Sequence, residues 1–106
     1  MQNGLYRVMF KTPIGEGAGV VILQDGTLRG GDSGMFYIGT YKMTGTAFEA
    51  TVRTGRHTGA MDSVLGVDNA NLSLKGTFSG NAANLNGTAR EAPGIAFQAV
   101  ISRLGD

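Results

Sequence analysis

The sequence predicts a small all-β protein, an antiparallel up-and-down barrel of about eight strands, and three observations lead there. Apolar and polar residues alternate with period two along most of the chain, the signature of strands with one buried and one solvated face. Glycine is abundant at 18 residues, without a collagen period and scattered among β-branched and aromatic residues, which points to tight turns and strand kinks. Turn signals separate the apolar runs at short intervals, so successive strands form a meander, and closing it into a barrel removes the exposed edges. At 106 residues there is room for one core, and residues 1–106 are read as a single domain.

The elements follow in order. The run 4–11 places Tyr6, Val8 and Phe10 on one face, with Leu5 and Met9 opposite. The runs 17–24 and 35–42 carry apolar side chains on both faces, so something besides the barrel core is expected to cover them. Asp25-Gly26 between the first of these and Thr27-Leu28 is a hairpin signal. Thr44-Gly45 leads into 46–54, where Phe48, Ala50 and Val52 oppose Glu49, Thr51 and Arg53. Between 59 and 66 the period changes: Met61, Val64 and Leu65 stand at i, i+3 and i+4, predicting one short helix or 3₁₀ turn with Asp62 near its start. Leu72, Leu74 and Phe78 line one face of 71–78, and Leu85, Gly87 and Ala89 one face of 84–90, with Ser79-Gly80-Asn81 as the turn between. Pro93-Gly94 reads as the last turn before 95–103, which aligns Ile95, Phe97, Ala99 and Ile101.

Composition excludes several function classes. Charged residues make up 16% of the chain and the formal net charge is +1, so no strong field draws in nucleic acid or an anionic membrane. Cysteine is absent, which fits a reducing compartment. Residues 1–4 show no basic segment leading into an apolar run, and the longest apolar stretch, near Val20 to Leu23, is too short to span a bilayer. A cytoplasmic location is therefore expected, and the sequons at Asn71-Leu72-Ser73 and Asn86-Gly87-Thr88 are read as chance matches.

No catalytic constellation emerges. The single histidine, His57, could serve Ser33 or Ser63 as a base, but a triad needs a third orienting group and a nucleophile at a sharp turn, and Asp32-Ser33-Gly34 is only a fragment of one. The favoured reading of His57 is a polar loop residue. One histidine and no cysteine do not make a common zinc set, and the scattered Glu16, Asp25, Asp32, Asp62 and Asp68 form no calcium loop. Gly15-Glu16-Gly17-Ala18-Gly19 resembles the start of a dinucleotide fingerprint, but Val20 stands where the last glycine belongs and a strand follows where a helix is needed. Gly30-Gly31-Asp32-Ser33-Gly34 reads as a tight bulged loop in preference to an anion-binding nest. Arg53, Arg56 and His57, with Lys42 near, are the only basic concentration, and a solvated strand face accounts for them. No cofactor, metal or enzymatic activity is expected.

The order of landmarks is more specific than any one of them. Asn3-Gly4-Leu5-Tyr6 opens an apolar strand, Gly15-Glu16-Gly17 introduces the next, and Gly30-Gly31-Asp32 precedes Tyr37-Ile38-Gly39. In this order the chain resembles the GrlR family, small bacterial proteins named for a negative regulator of type III secretion, best over 3–57 and on through the last hairpins to Leu104. The resemblance implies a calycin-like, lipocalin-like barrel with one short helix, a cytoplasmic homodimer, and regulation through protein–protein contact. The type member of the family binds a transcriptional activator through an acidic loop between two strands. The matching stretch here, Lys42-Met43-Thr44-Gly45, carries no carboxylate, so that partner-binding motif does not carry over.

Two functions are weighed. The first is a non-enzymatic regulatory or protein-interaction module acting as a homodimer, with a second regulatory protein as its further partner. The symmetric interface would draw on Val20 or Val21, Ile22 or Leu23, Met35, Phe36 and Ile38. The alternative is a lipocalin-like binder of a small apolar ligand, with Tyr6, Phe10, Phe48, Val52, Leu72, Leu74, Phe78 and Phe97 lining the barrel. Against a cavity stands the bulk of those inward aromatics, which would consume a short lumen.

Overall fold

The fold is described from a computed structural model, which covers residues 1–59 and 65–106. Eight strands follow one another as β1 (Gly4–Thr12), β2 (Gly15–Gln24), β3 (Thr27–Gly31), β4 (Met35–Thr44), β5 (Ala47–Arg56), β6 (Ala70–Ser79), β7 (Ala82–Ala89) and β8 (Ala92–Gly105). Each pairs antiparallel with its sequence neighbour, and β8 returns to β1, with Val8 opposite Ile101 and Phe10 opposite Ala99, to close the barrel. The predicted short helix or 3₁₀ turn over 59–66 falls mainly on 60–64, outside the described residues; Gly59 and the stretch 65–69 beside it are turns and bends.

The alternation read from the sequence sets which side chains turn inward. Tyr6 and Val8 on β1, Phe48, Ala50 and Val52 on β5, and Leu72 and Leu74 on β6 are all buried. Burying each large side chain contributes roughly 1.5–3 kcal/mol, and strand-by-strand repetition gives one continuous core inside the ring. Closing so few strands into a narrow ring needs sharp local bends, and inward-facing glycines supply them. A Cβ on Gly30 would lie 1.9 Å from the Val20 carbonyl oxygen, and one on Gly87 would lie 1.9 Å from that of Ser73. Only a residue without a side chain lets neighbouring backbones approach so closely there.

The turns are as local as the sequence suggests, with one exception. Asp25 and Gly26 both take positive φ, 51° and 86°, the combination a two-residue hairpin of right-handed twist requires. Pro93-Gly94, expected as a turn, lies instead within β8. The chain reverses at Arg90 and Glu91, and Ala92 already pairs with Ala89. Between that pair and Gly87–Phe97 the register shifts, so Pro93 sits in an irregular stretch where its missing N–H costs no ladder bond.

Alternation also divides strand β2. Val21 and Leu23 are 2% and 0% exposed and belong to the core, whereas Val20 and Ile22 point outward. Of the alternatives expected at an interface, Val21 and Leu23 are thereby corrected to core residues, and Val20 and Ile22 are the ones on the outer surface.

Candidate functional site

The two ends of the barrel are built differently. At the end carrying the β2–β3, β4–β5 and β6–β7 turns, Tyr6, Leu23 and Phe48 are fully buried, and Tyr41 stacks on Phe48 with ring centroids 5.4 Å apart. Met1 packs against this cluster, and the Tyr6 hydroxyl donates to the Gln2 carbonyl at 2.5 Å. That end is plugged. Burial pushes the Tyr6 hydroxyl above its ordinary pKa, with Arg103 opposing and Tyr41 adding to the shift.

Toward the other end the interior holds a cavity of about 170 Å³. Phe10, Val52, Leu72, Leu74 and Phe97, all predicted as lining, contribute to its wall. The remaining three of that set, Tyr6, Phe48 and Phe78, are packed with the core away from the cavity. The inward aromatics do not fill the lumen, because they stack on one another. Phe10 lies against Phe97 at 5.8 Å and nearly parallel, and meets Tyr37 edge-on at 6.2 Å. Small inward residues such as Gly17, Ala50 and Ala99 leave the space beside them.

The rim is polar. Asp32 begins the β3–β4 loop and folds it: one carboxylate oxygen accepts the N–H groups of Gly34 (2.9 Å) and Met35 (2.8 Å), and the other accepts the Tyr37 hydroxyl. The Asp32 N–H in turn donates to the Met35 carbonyl at 2.9 Å. Gly30-Gly31-Asp32-Ser33-Gly34 is thus a tight loop, whose amides at Gly34 and Met35 are used by its own aspartate and are not offered to an outside anion. Burial pushes the Asp32 carboxyl up, but the bonds from Tyr37, Gly34 and Met35 and the proximity of His57 outweigh it and leave the group below its usual range. Burial first, then the bond to the Asp32 carboxylate and its charge, push the Tyr37 hydroxyl far up.

His57 binds the same loop through its ring: Nε2 lies 2.9 Å from the Asp32 carbonyl oxygen, and Nδ1 2.7 Å from Thr58 Oγ1. The basic concentration around it is dispersed among separate tasks. Arg53 sits on the outer surface 5.3 Å over the Phe36 ring, while Arg56 holds Asp68 at 2.8 Å. Gly15, Glu16 and Gly17, read against a dinucleotide loop, are strand residues of β2, with Gly17 packed beneath the Phe10 ring. Among the described residues no group of histidine, cysteine, aspartate and glutamate is gathered as for a metal ion. Among the same residues, no helix is long and apolar enough to cross a membrane.

Several wall residues lay outside the predicted lining, among them Val8, Tyr37, Leu85 and Ile101, and one more of them is buried and polar. Thr54, 7% exposed, is the buried polar residue of the described chain, and it lines the cavity. Its signal was present, since it continues the inward series Phe48, Ala50, Val52 with a hydroxyl where an apolar group would be routine.

The outer surface carries a second feature. In register across β1 to β5 stand Leu5, Ile22, Arg29, Ile38 and Arg53, and beside them Arg7 faces Val20. Val20, Ile22 and Ile38 are exposed, while Met35 and Phe36 are half-buried. Comparison with protein-family models finds none that matches the chain, and comparison with curated proteins finds no matching relative.

Proposed function

We propose that this protein binds a small apolar molecule in the open half of its barrel. The observation that carries this reading is the cavity itself, about 170 Å³ with a predominantly apolar wall, set above a plugged floor. Interiors pack closely and rarely keep such a space, and an apolar cavity of about 150 Å³ is large enough to hold benzene. The guest is accordingly a ring or a short chain, smaller than the ligands of roughly 300–1,000 Å³ clefts. The action is binding without catalysis, with His57 and Asp32 engaged in shaping the β3–β4 loop. Titration of the protein with toluene, followed by amide chemical shifts, is expected to move resonances of cavity residues such as Val52 and Leu72 while leaving the Phe48 end unchanged. Shifts spread over the outer surface, or none, would refute the reading.

The exposed Val20, Ile22 and Ile38 favour a second reading, a cytoplasmic protein-interaction module of the GrlR kind that acts as a homodimer. The outer residues of the predicted interface, Val20, Ile22, Phe36 and Ile38, would supply its contact, whereas Met35, expected there too, shares the inward parity of Tyr37 and lines the cavity. Light scattering at micromolar concentration that finds only monomer would remove the dimer.

A further inference from the structure

We infer that the cavity selects a compact amphiphile with a neutral or cationic hydrogen-bonding head and rejects an anionic one. This rests on the ligand-binding reading above and adds the chemical class of the guest. Two lining residues carry a charge, Asp32 and Glu16, and both are carboxylates. Glu16 shares the outward parity of Val20 and Ile22 and stands opposite Lys11, so the charge at the rim is that of Asp32. No lysine or arginine is among the described lining residues. Asp32 is fixed in place by the Gly34 and Met35 amides and the Tyr37 hydroxyl, so its charge is a permanent part of the rim. Arg56, which shares the inward parity of Thr54 on β5, is committed to Asp68 through both Nε and a terminal nitrogen. An anion entering this space gives up its water shell against an apolar wall and meets the Asp32 carboxylate, with no lysine or arginine among the described lining residues to receive it.

Thr54 supplies the other half of the selection. The residue is 7% exposed and lines the cavity. A hydroxyl both donates and accepts, so a guest that places an alcohol, carbonyl or ammonium beside it satisfies a polar group that otherwise stands in an apolar wall. The volume of about 170 Å³ leaves room for one six-membered ring and a head of up to about three heavy atoms.

Four probes of one shape separate the possibilities on the intact chain at neutral pH: toluene, benzyl alcohol, benzylammonium and benzoate, each titrated by amide chemical shifts. Benzyl alcohol and benzylammonium are expected to bind about tenfold or more tightly than benzoate, a difference of about 1.4 kcal/mol. Asp32→Asn, which keeps an oxygen to accept the Gly34 and Met35 amides, should narrow the gap between benzylammonium and benzoate. Thr54→Val should remove the advantage of benzyl alcohol over toluene while leaving toluene bound. Benzoate binding as tightly as benzylammonium would overturn the charge selection and leave the apolar-ligand reading standing. Unaltered preferences in both variants would overturn the roles of Asp32 and Thr54. Failure of all four probes to bind would overturn the ligand-binding reading itself.

Discussion

The plugged and open ends of this barrel are written in the same period-two code, yet one is solid and the other hollow. At the plugged end, Tyr6, Leu23 and Phe48 leave no exposed surface, and the Tyr41 ring lies flat on Phe48. At the open end, equivalent inward positions carry Gly17 and Ala99, and the rings of Phe10 and Phe97 pair with each other against the wall. Alternation decides which way a side chain points; volume and mutual stacking decide whether the ends of those side chains meet. A core and a binding cavity can therefore share one barrel without any change of backbone plan.

Substitutions can test how far the ends differ. The largest effect is expected for Phe48→Ala, which opens a void in the plug and should cost about 3–5 kcal/mol in denaturant unfolding. At the rim, Tyr37→Phe deletes a hydrogen bond to a carboxylate, and a loss of about 1.5–3 kcal/mol is expected. That loss depends on pH with a definite sign. The Tyr37 pKa is raised in the fold, so its contribution is complete below the unfolded value of 10.0 and fades as pH rises beyond it. Asp32 runs the other way: its pKa is lowered, so its contribution is present above the unfolded value of 3.8 and fades as pH falls below it. Stability profiles of Tyr37→Phe should accordingly lose part of their slope at both extremes. Filling the open end with Ala99→Leu should abolish toluene binding yet shift stability by less than about 1.5 kcal/mol, because the added atoms enter space that is already vacant. A cost as large as that of Phe48→Ala would mean that the two ends are equally packed. Smallest of all, Arg56→Ala should cost about 0–1 kcal/mol, diminishing with added salt, since Asp68 is exposed.

The barrel was legible in the sequence because its information is local. Phe48, Ala50 and Val52 alternate within one strand, and Asp25-Gly26 encodes its own hairpin. Where two apolar faces meet in one run, as along Val20, Val21, Ile22 and Leu23, parity could be assigned only from the neighbouring strands. Val21 lies opposite Tyr6, and Leu23 opposite Leu28, which turns both inward. The cavity was not legible, because its volume depends on the encounter of Phe10 on β1 with Phe97 on β8, far apart in the chain. Pro93-Gly94 misled for a related reason. Both residues serve turns and bulges alike, and only the pairing of Ala92 with Ala89 shows which.

The closure of β8 onto β1 has a kinetic consequence. Other strand pairs in the barrel join sequence neighbours, through turns of two or three residues except for the stretch 57–69 between β5 and β6, but this seam pairs Leu5 with Gly105 and Lys11 with Gln98. Joining distant segments carries a loop entropy that grows by about 0.6 kcal/mol with each doubling of length, so local hairpins should assemble first and the seam should zip late. Val8→Ala on the seam would then speed unfolding and leave the folding rate nearly unchanged, whereas Leu74→Ala in the β6–β7 hairpin would slow folding. The ring is symmetrical as an object and is expected to be asymmetrical as a history: seven of its joints link sequence neighbours, and the eighth links its two ends.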